Sequence, residues 1–291
     1  HHRQAAGDRG MGVTAALAGR PGDAAPLTFA KLHGLGNSYL FVYADRDPAD
    51  PTALSVRLSD PRRGVGADGM IWILPSAVAD FRMRVFNADG SEAAMCGNGI
   101  RCLGKYVYDR GLTARTELTV ETPAGIRRLW LHTAGGRVAS VTADMGRAAV
   151  CAAQTLTLPD GETITLRRVS VGNPHAVLFR ASMPDAALLR LGTALQTHPA
   201  FPGGVNVELV HLSAPATLRM RVFERGSGVT SACGTGACAA VAAAVADGVC
   251  ASGADITVRL DGGELTVRAE PDGTLFLTGA AEEICEGTAW V

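Results

Sequence analysis

Residues 81–102 read FRMRVFNADGSEAAMCGNGIRC, and residues 218–239 read LRMRVFERGSGVTSACGTGACA. The two stretches align without a gap at a displacement of 137 residues, Cys96 falling on Cys233. Both contain Arg-Met-Arg-Val-Phe, a loop rich in Gly and Ser, and Cys-Gly-x-Gly ahead of a run of small residues. An identical pentapeptide and an identical Cys-Gly-x-Gly held at one separation mark an internal duplication. With two copies, the chain is a pseudo-symmetric pair of halves and not a solenoid.

Each copy has a local physical reading. RMRVF alternates long polar with apolar side chains, the period of a half-buried strand. Turn formers follow: Asn87, Asp89, Gly90 and Ser91 in one copy, Gly226, Ser227 and Gly228 in the other. The residues after each cysteine can start a helix, so Cys96 and Cys233 are both expected at helix N-termini. There the unpartnered N–H groups and the positive dipole end stabilise a thiolate. The glycines just beyond admit close approach of a ligand, and the same N–H groups can hold a carboxylate. Two facing copies would set a thiol on either side of one small carboxylate ligand.

The rest of the chain repeats less obviously. The turn at His33-Gly34-Leu35-Gly36-Asn37 recurs as Gly172-Asn173, and PGGVNVELVHL corresponds roughly to RGVGADGMIWI. Hairpin turns are expected at Pro123-Ala124-Gly125 and Gly135-Gly136. Each half therefore reads as a mostly antiparallel β unit around the helix that starts at its cysteine, an α+β class. Residues 1–26 are rich in Ala, Gly and Arg without a sustained apolar segment, and read as a leader or tag outside the fold. Residues 27–146 with 279–291 form the expected N-terminal half, and 147–278 the C-terminal half.

A net charge of −1 without charge blocks argues against nucleic acid or a membrane surface as partner. No apolar run reaches transmembrane length. The seven cysteines are odd in number and scattered, a poor disulfide framework that fits a reducing, cytoplasmic setting. Their spacings, with those of the histidines, match no zinc pattern, so no metal is expected. Cys102, Cys151, Cys238, Cys250 and Cys285 lack a Gly-rich context and read as packing residues.

Taken together, KLHGLGNSYLFV, RRGVGADGMI, RVFNADGSEAAMCGNGIRC, SVGNPHAVLF, VNVELV and VFERGSGVTSACGTGACAA resemble the diaminopimelate epimerases, from about Phe29 to Val291. The resemblance implies two β-barrel-like halves, each around a central helix, with the active site in the cleft between them. It implies no pyridoxal phosphate, other cofactor or metal. Cys96 and Cys233 would be the acid and base that invert one α-carbon of diaminopimelate, interconverting the LL and meso forms for lysine and cell-wall precursors. Gly97, Asn98, Gly234 and Thr235 would hold the reacting carboxylate, and Asn37 the reacting amino group. Asn87, Asn173, Asn206 and Arg225 would hold the distal end, with Glu224 facing its ammonium. Asp89 and His175 would stand near the thiols. The chain departs from many members at Ser38, at Gly69, where some carry glutamine, and at Val229, where many carry an acid.

Other readings stay open on the residues alone: a racemase of histidine or proline on the same scaffold, or a redox or binding protein whose two thiols form a switchable disulfide. The oligomeric state is open too, a homodimer included.

Overall fold

The computed structural model describes residues 24–291. The leader expected over 1–26 lies outside the described residues up to position 23. Ala25 already belongs to the fold, exchanging backbone hydrogen bonds with Val291 (2.7 and 2.9 Å).

The first half comprises β1 (Pro26–Gly34), β2 (Asn37–Tyr43), α1 (Pro51–Ser59), β3 (Gly69–Leu74), β4 (Phe81–Asn87), β5 (Glu92–Ala93), α2 (Gly97–Asp109), β6 (Glu117–Thr122), β7 (Gly125–Ala134) and β8 (Arg137–Arg147). The second comprises β9 (Ala149–Val150), β10 (Gln154–Thr157), β11 (Thr163–Ser170), β12 (Pro174–Phe179), α3 (Asp185–Gln196), β13 (Asn206–Ala214), β14 (Thr217–Glu224), β15 (Gly228–Thr230), α4 (Gly234–Ala246), β16 (Asp255–Leu260), β17 (Gly263–Ala269) and β18 (Thr274–Ala280). β19 (Glu282–Trp290) returns to pair with β1.

The pairing order repeats. β2 runs parallel to β3, β3 pairs antiparallel with β4, β4 parallel with β6, and β6–β7–β8 continue antiparallel. β12, β13, β14, β16, β17 and β18 follow the same sequence of senses. The duplication is thus carried into topology, and the α+β class with two pseudo-symmetric halves is observed. The parallel pairs are a feature that strand alternation alone does not reveal. β18 also pairs with β8, joining the halves edge to edge. We propose the 278/279 boundary as the crossing between halves; it falls inside β18 and not in a loop.

α2 and α4 are the central helices. α4 reads GTGACAAVAAAVA and is almost wholly buried, its small side chains letting strands pack close on every face. One continuous core holds Ile100, Leu103 and Val107 of α2 together with Ala237 and Val241 of α4. α1 starts at Pro51 beneath the Asp50 cap, whose carboxylate accepts from the Ala53 N–H (3.0 Å), and covers one outer face through Leu58. α3 covers the equivalent face of the second half with Leu188, Leu191 and Leu195. Among the described residues no helix is long and apolar enough to cross a membrane.

Candidate active site

Cys96 and Cys233 are the N-cap residues of α2 and α4, with matching backbone angles (φ −143, ψ 112 and φ −143, ψ 110). Each Sγ accepts from the N–H three residues on, Gly99 and Gly236 respectively, at 3.3 Å. The thiols thus take the capping role usual for a Ser or Asp oxygen. The two helix starts abut. A Cβ on Gly97 would lie 3.7 Å from the Gly234 Cα, and one on Gly234 3.6 Å from the Gly97 Cα. Leu277 closes beneath them, 3.2 and 3.1 Å from the same two positions. A methyl at either place would reach ordinary contact with the facing backbone and press on the Leu277 side chain, so the two positive helix ends open into one space.

That space is a cavity of about 870 Å³. From the first half it takes Asn37, Asn87, Asp89, Cys96, Gly97 and Asn98; from the second, Asn173, Asn206, Glu224, Arg225, Cys233, Gly234 and Thr235. Every expected site residue but His175 lines it. Asn37 comes from the turn in which Leu35 (φ 54) and Gly36 (φ 83) take left-handed angles, a tight two-residue hairpin. Its Nδ2 donates to Asp68 (2.9 Å) and its Oδ1 accepts from Asn98 Nδ2 (3.1 Å), which leaves the Oδ1 facing the first thiol at 3.9 Å. Asn206 is pinned from both sides: its Oδ1 accepts from the Arg225 N–H (2.8 Å), and its Nδ2 donates to the Pro174 carbonyl (3.1 Å). Asn87 donates to Ser91 Oγ (3.0 Å). Asp89 accepts from the Ser91 N–H and hydroxyl (2.9 and 2.5 Å), so it supports the Asn87 turn on the wall of the cavity that both thiols line.

His175 is buried behind the wall. Its Nδ1 lies 2.6 Å from Glu208 Oε1, and its Nε2 donates to Asn173 Oδ1 at 2.9 Å. Asn173 Nδ2 in turn donates to Thr235 Oγ1 (3.2 Å), which lies 3.6 Å from Cys233 Sγ. A hydrogen-bonded row thus runs from a fully buried carboxylate to the second thiol. Among the described residues Glu208 Oε2 has no hydrogen-bond partner, so this carboxylate keeps uncompensated acceptor capacity beside the site.

Burial pushes both thiols up. At Cys96 the rise is opposed by the Tyr39 hydroxyl, the Gly99 N–H and Arg101. At Cys233 it is reinforced by the negative charges of Glu224 and Glu208, and the thiol stands well above its ordinary range. Glu224 is also pushed up, by burial first and by Glu208 next, while the Thr230 hydroxyl, donating at 2.6 Å, holds it down. Val229 points outward, 44% exposed; its neighbour Thr230 supplies the polar contact at the cleft.

Sequence reading missed Tyr39, whose hydroxyl is 3.4 Å from Cys96 Sγ, and Asp68 and Glu208. A signal existed for the two acids: Asp68 sits in the Gly-rich GVGADG loop, and Glu208 is a charged residue between the apolar Val207 and Leu209. Cys102, Cys238 and Cys250 are buried as expected, but Cys151 and Cys285 are exposed and pack no core. Cys151 follows the two-residue β9, and Cys285 lies on the nine-residue β19 opposite Lys31 of β1. Among the described residues no cluster of three or more His, Cys, Asp or Glu side chains is arranged to hold a metal ion.

A family model for diaminopimelate epimerase matches residues 29–151 and 167–284. The diaminopimelate epimerase of Bacteroides thetaiotaomicron is 45% identical over 263 residues, covering 90% of this chain and 97% of its own. That of Bacillus cereus strain AH187 is 44% identical over 276 residues, covering 89% and 96%. Among solved structures, a hydroxyproline epimerase of Agrobacterium vitis with bound trans-4-hydroxy-L-proline superposes with a TM-score of 0.70 at 19% identity, over 91% of this chain and 93% of that one.

Proposed function

The chain belongs to the diaminopimelate epimerase family, and from that premise we propose that Cys96 and Cys233 are the acid–base pair of its reaction. It is an isomerase that epimerises diaminopimelate. The observation carrying the residue assignment is the junction of two thiol-capped helix starts at Gly97 and Gly234. Inversion at an α-carbon needs a base on one face and an acid on the other, and a pair carrying a single proton supplies both. Cleavage of the Cα–H bond leaves its electron pair on carbon, delocalised into the carboxylate. The first-turn N–H groups of α2 and α4, at Gly97, Asn98, Gly234 and Thr235, have no intrahelical acceptor and would meet that growing charge.

Asn37 Oδ1 is suited to accept from the reacting ammonium, since its own Nδ2 is committed to Asp68. Glu224 and Arg225 pair a carboxylate with a guanidinium, as an ammonium and a carboxylate at the distal end require. Asn87, Asn173 and Asn206 supply the neutral donors and acceptors between them. All of these groups come from one chain, so the cleft does not need a second copy. We infer a cytoplasmic setting from the seven free thiols, two of them needed unoxidised for the chemistry.

Racemisation of histidine or proline, and a thiol switch without catalysis, are less favoured. The relatives at 44–45% identity carry the diaminopimelate name, while the hydroxyproline epimerase at 19% carries the fold alone. The test is α-proton exchange in heavy water under reductant, with LL-diaminopimelate, L-histidine and L-proline offered separately to wild type, Cys96→Ala and Cys233→Ala. Exchange with diaminopimelate that both variants lose supports the assignment. Full turnover in either variant refutes the pair, and exchange with another amino acid alone refutes the substrate.

A further inference from the structure

The duplication makes the two thiols geometrically equal, but the groups behind them are not. Tyr39 of the first half corresponds to His175 of the second, and Arg101 to Cys238. Ile71 corresponds to Glu208: a Cβ on Gly99 would meet Ile71 Cδ1 at 2.4 Å, and one on Gly236 would meet Glu208 Oε1 at 2.8 Å. A phenol and a guanidinium therefore stand by Cys96. Two carboxylates, Glu208 from β13 and Glu224 from β14, stand by Cys233.

Arg101 has no exposed surface. Its Nη1 donates to the Gly97 carbonyl and its Nη2 to Asn98 Oδ1, both at 2.9 Å, and its Nε to the Ala280 carbonyl at 3.4 Å. All three acceptors are neutral. A buried cation without a counter-charge is costly, and a buried anion nearby offsets the cost. The ionisable groups whose charge it feels are the thiols of Cys102, Cys96 and Cys238. Burial pushes Cys102 and Cys238 up to about 12, so both keep their protons. Burial pushes Cys96 up as well, but its Sγ faces the Tyr39 hydroxyl at 3.4 Å and the Gly99 N–H at 3.3 Å, which makes it the available anion. Tyr39 is itself buried, which holds its hydroxyl well above the usual range, so beside a thiolate it is the donor.

Resting on the acid–base reading above, we propose that Arg101 and Tyr39 are positioning residues that make the pair unequal at rest, with the thiolate on Cys96 and the proton on Cys233. In the first half-cycle Cys96 takes the α-proton and forms S–H. The electron pair passes through the carbanion to a new C–H bond on the opposite face, using the proton of Cys233. The product leaves with the proton on Cys96 and the thiolate on Cys233, facing Glu208 and Glu224. Return of a proton to Cys233 and loss of one from Cys96 restore the neutralisation of Arg101.

The test is site-resolved alkylation by iodoacetamide in a phosphine reductant across pH, read by peptide mass spectrometry. The groups that face Cys96 are Tyr39, the Gly99 N–H, Asn37 and Arg101, with Asp68 acting on Tyr39; those that face Cys233 are Glu224, Glu208, Thr235 and the Gly236 N–H. In wild type at neutral pH, Cys96 is labelled faster, by about tenfold or more. Tyr39→Phe removes the donor, and the Cys96 midpoint moves up by about one pH unit, the effect of one hydrogen bond to a charged group. The Cys233 profile does not follow. Arg101→Lys keeps the order of labelling and Arg101→Gln loses it. Faster labelling of Cys233 in wild type, or an unmoved Cys96 midpoint in Tyr39→Phe, overturns the proposal. α-Proton exchange by Cys96→Ala separates the two readings: a dead variant alongside faster Cys233 labelling in wild type refutes only this inference, and an active variant refutes the pair itself.

Discussion

Gly69 lies where the backbone of this chain leaves no space for a Cβ. A Cβ on Gly69 would lie 2.1 Å from the Phe86 carbonyl oxygen and 3.1 Å from the Asn87 Cα. Both are backbone atoms of the neighbouring β4, so no rotamer change relieves the clash. To restore ordinary contact, β3 and β4 must separate by roughly 1 Å or more at this point. Gly69 is registered directly against Asn87, a wall residue of the cleft, so the displacement falls on the site. Overpacking costs about 1–3 kcal/mol when side chains can shift, and a backbone obstacle belongs at or above the top of that range. A misplacement of about 1 Å in a positioning group costs about a hundredfold in rate. Gly69→Ala is therefore expected to lose about 3 kcal/mol in urea unfolding and about a hundredfold in kcat/KM for diaminopimelate. Gly69→Gln should fare no better. A Gly69→Ala protein with wild-type urea midpoint and kinetics would show that the two strands yield freely and that the reasoning is wrong.

Other perturbations separate binding from folding. Glu224→Gln should raise KM about tenfold or more, as loss of one hydrogen-bonded partner of a buried charge does, with kcat changed less; unchanged kinetics would remove Glu224 from the distal pocket. Because burial pushes the Glu224 carboxyl up, its charge is lost at a higher pH than in an exposed glutamate, so wild-type KM should climb as pH falls through that raised value. Stability runs the other way. A raised carboxyl favours the folded state below the ordinary glutamate pKa, and that gain is lost as pH rises through the folded-state value. Glu224→Gln should therefore leave neutral-pH Tm unchanged or higher, and a clear drop would contradict this. Glu208→Gln breaks the buried contact with His175 and should cost about 1–3 kcal/mol in urea unfolding; an unchanged midpoint would mean the pair contributes nothing.

The central architecture was legible because both copies keep the features that act locally. A period-two strand, a Gly-rich turn and a Cys-Gly-x-Gly helix start each follow from short-range chemistry, and α2 and α4 begin where that chemistry says. The cleft walls followed from the same alignment with the family resemblance. What escaped depends on contacts distant in sequence. β2 lies parallel to β3 and β4 to β6, pairings made across intervening helices. Arg101 in a helix reads as a solvated side chain until the sheets close over it. Tyr39 reads as an ordinary core aromatic, since nothing within its own strand shows that a thiol comes to its hydroxyl. Cys151 and Cys285 failed for the opposite reason: a small apolar residue is usually buried, but each is exposed here.

The pairing of β1 with β19 bears on how the chain is made. A ribosome delivers β1 first and β19 only after the whole second half, so the first half waits with an unpaired strand edge while the second is translated. An open edge of this kind invites pairing with other nascent chains. The second half has no such debt, because β9 and β11 meet soon after they emerge. Removing β19 should accordingly harm the half made first, and that half is where a chaperone or a quality-control protease would find its earliest purchase.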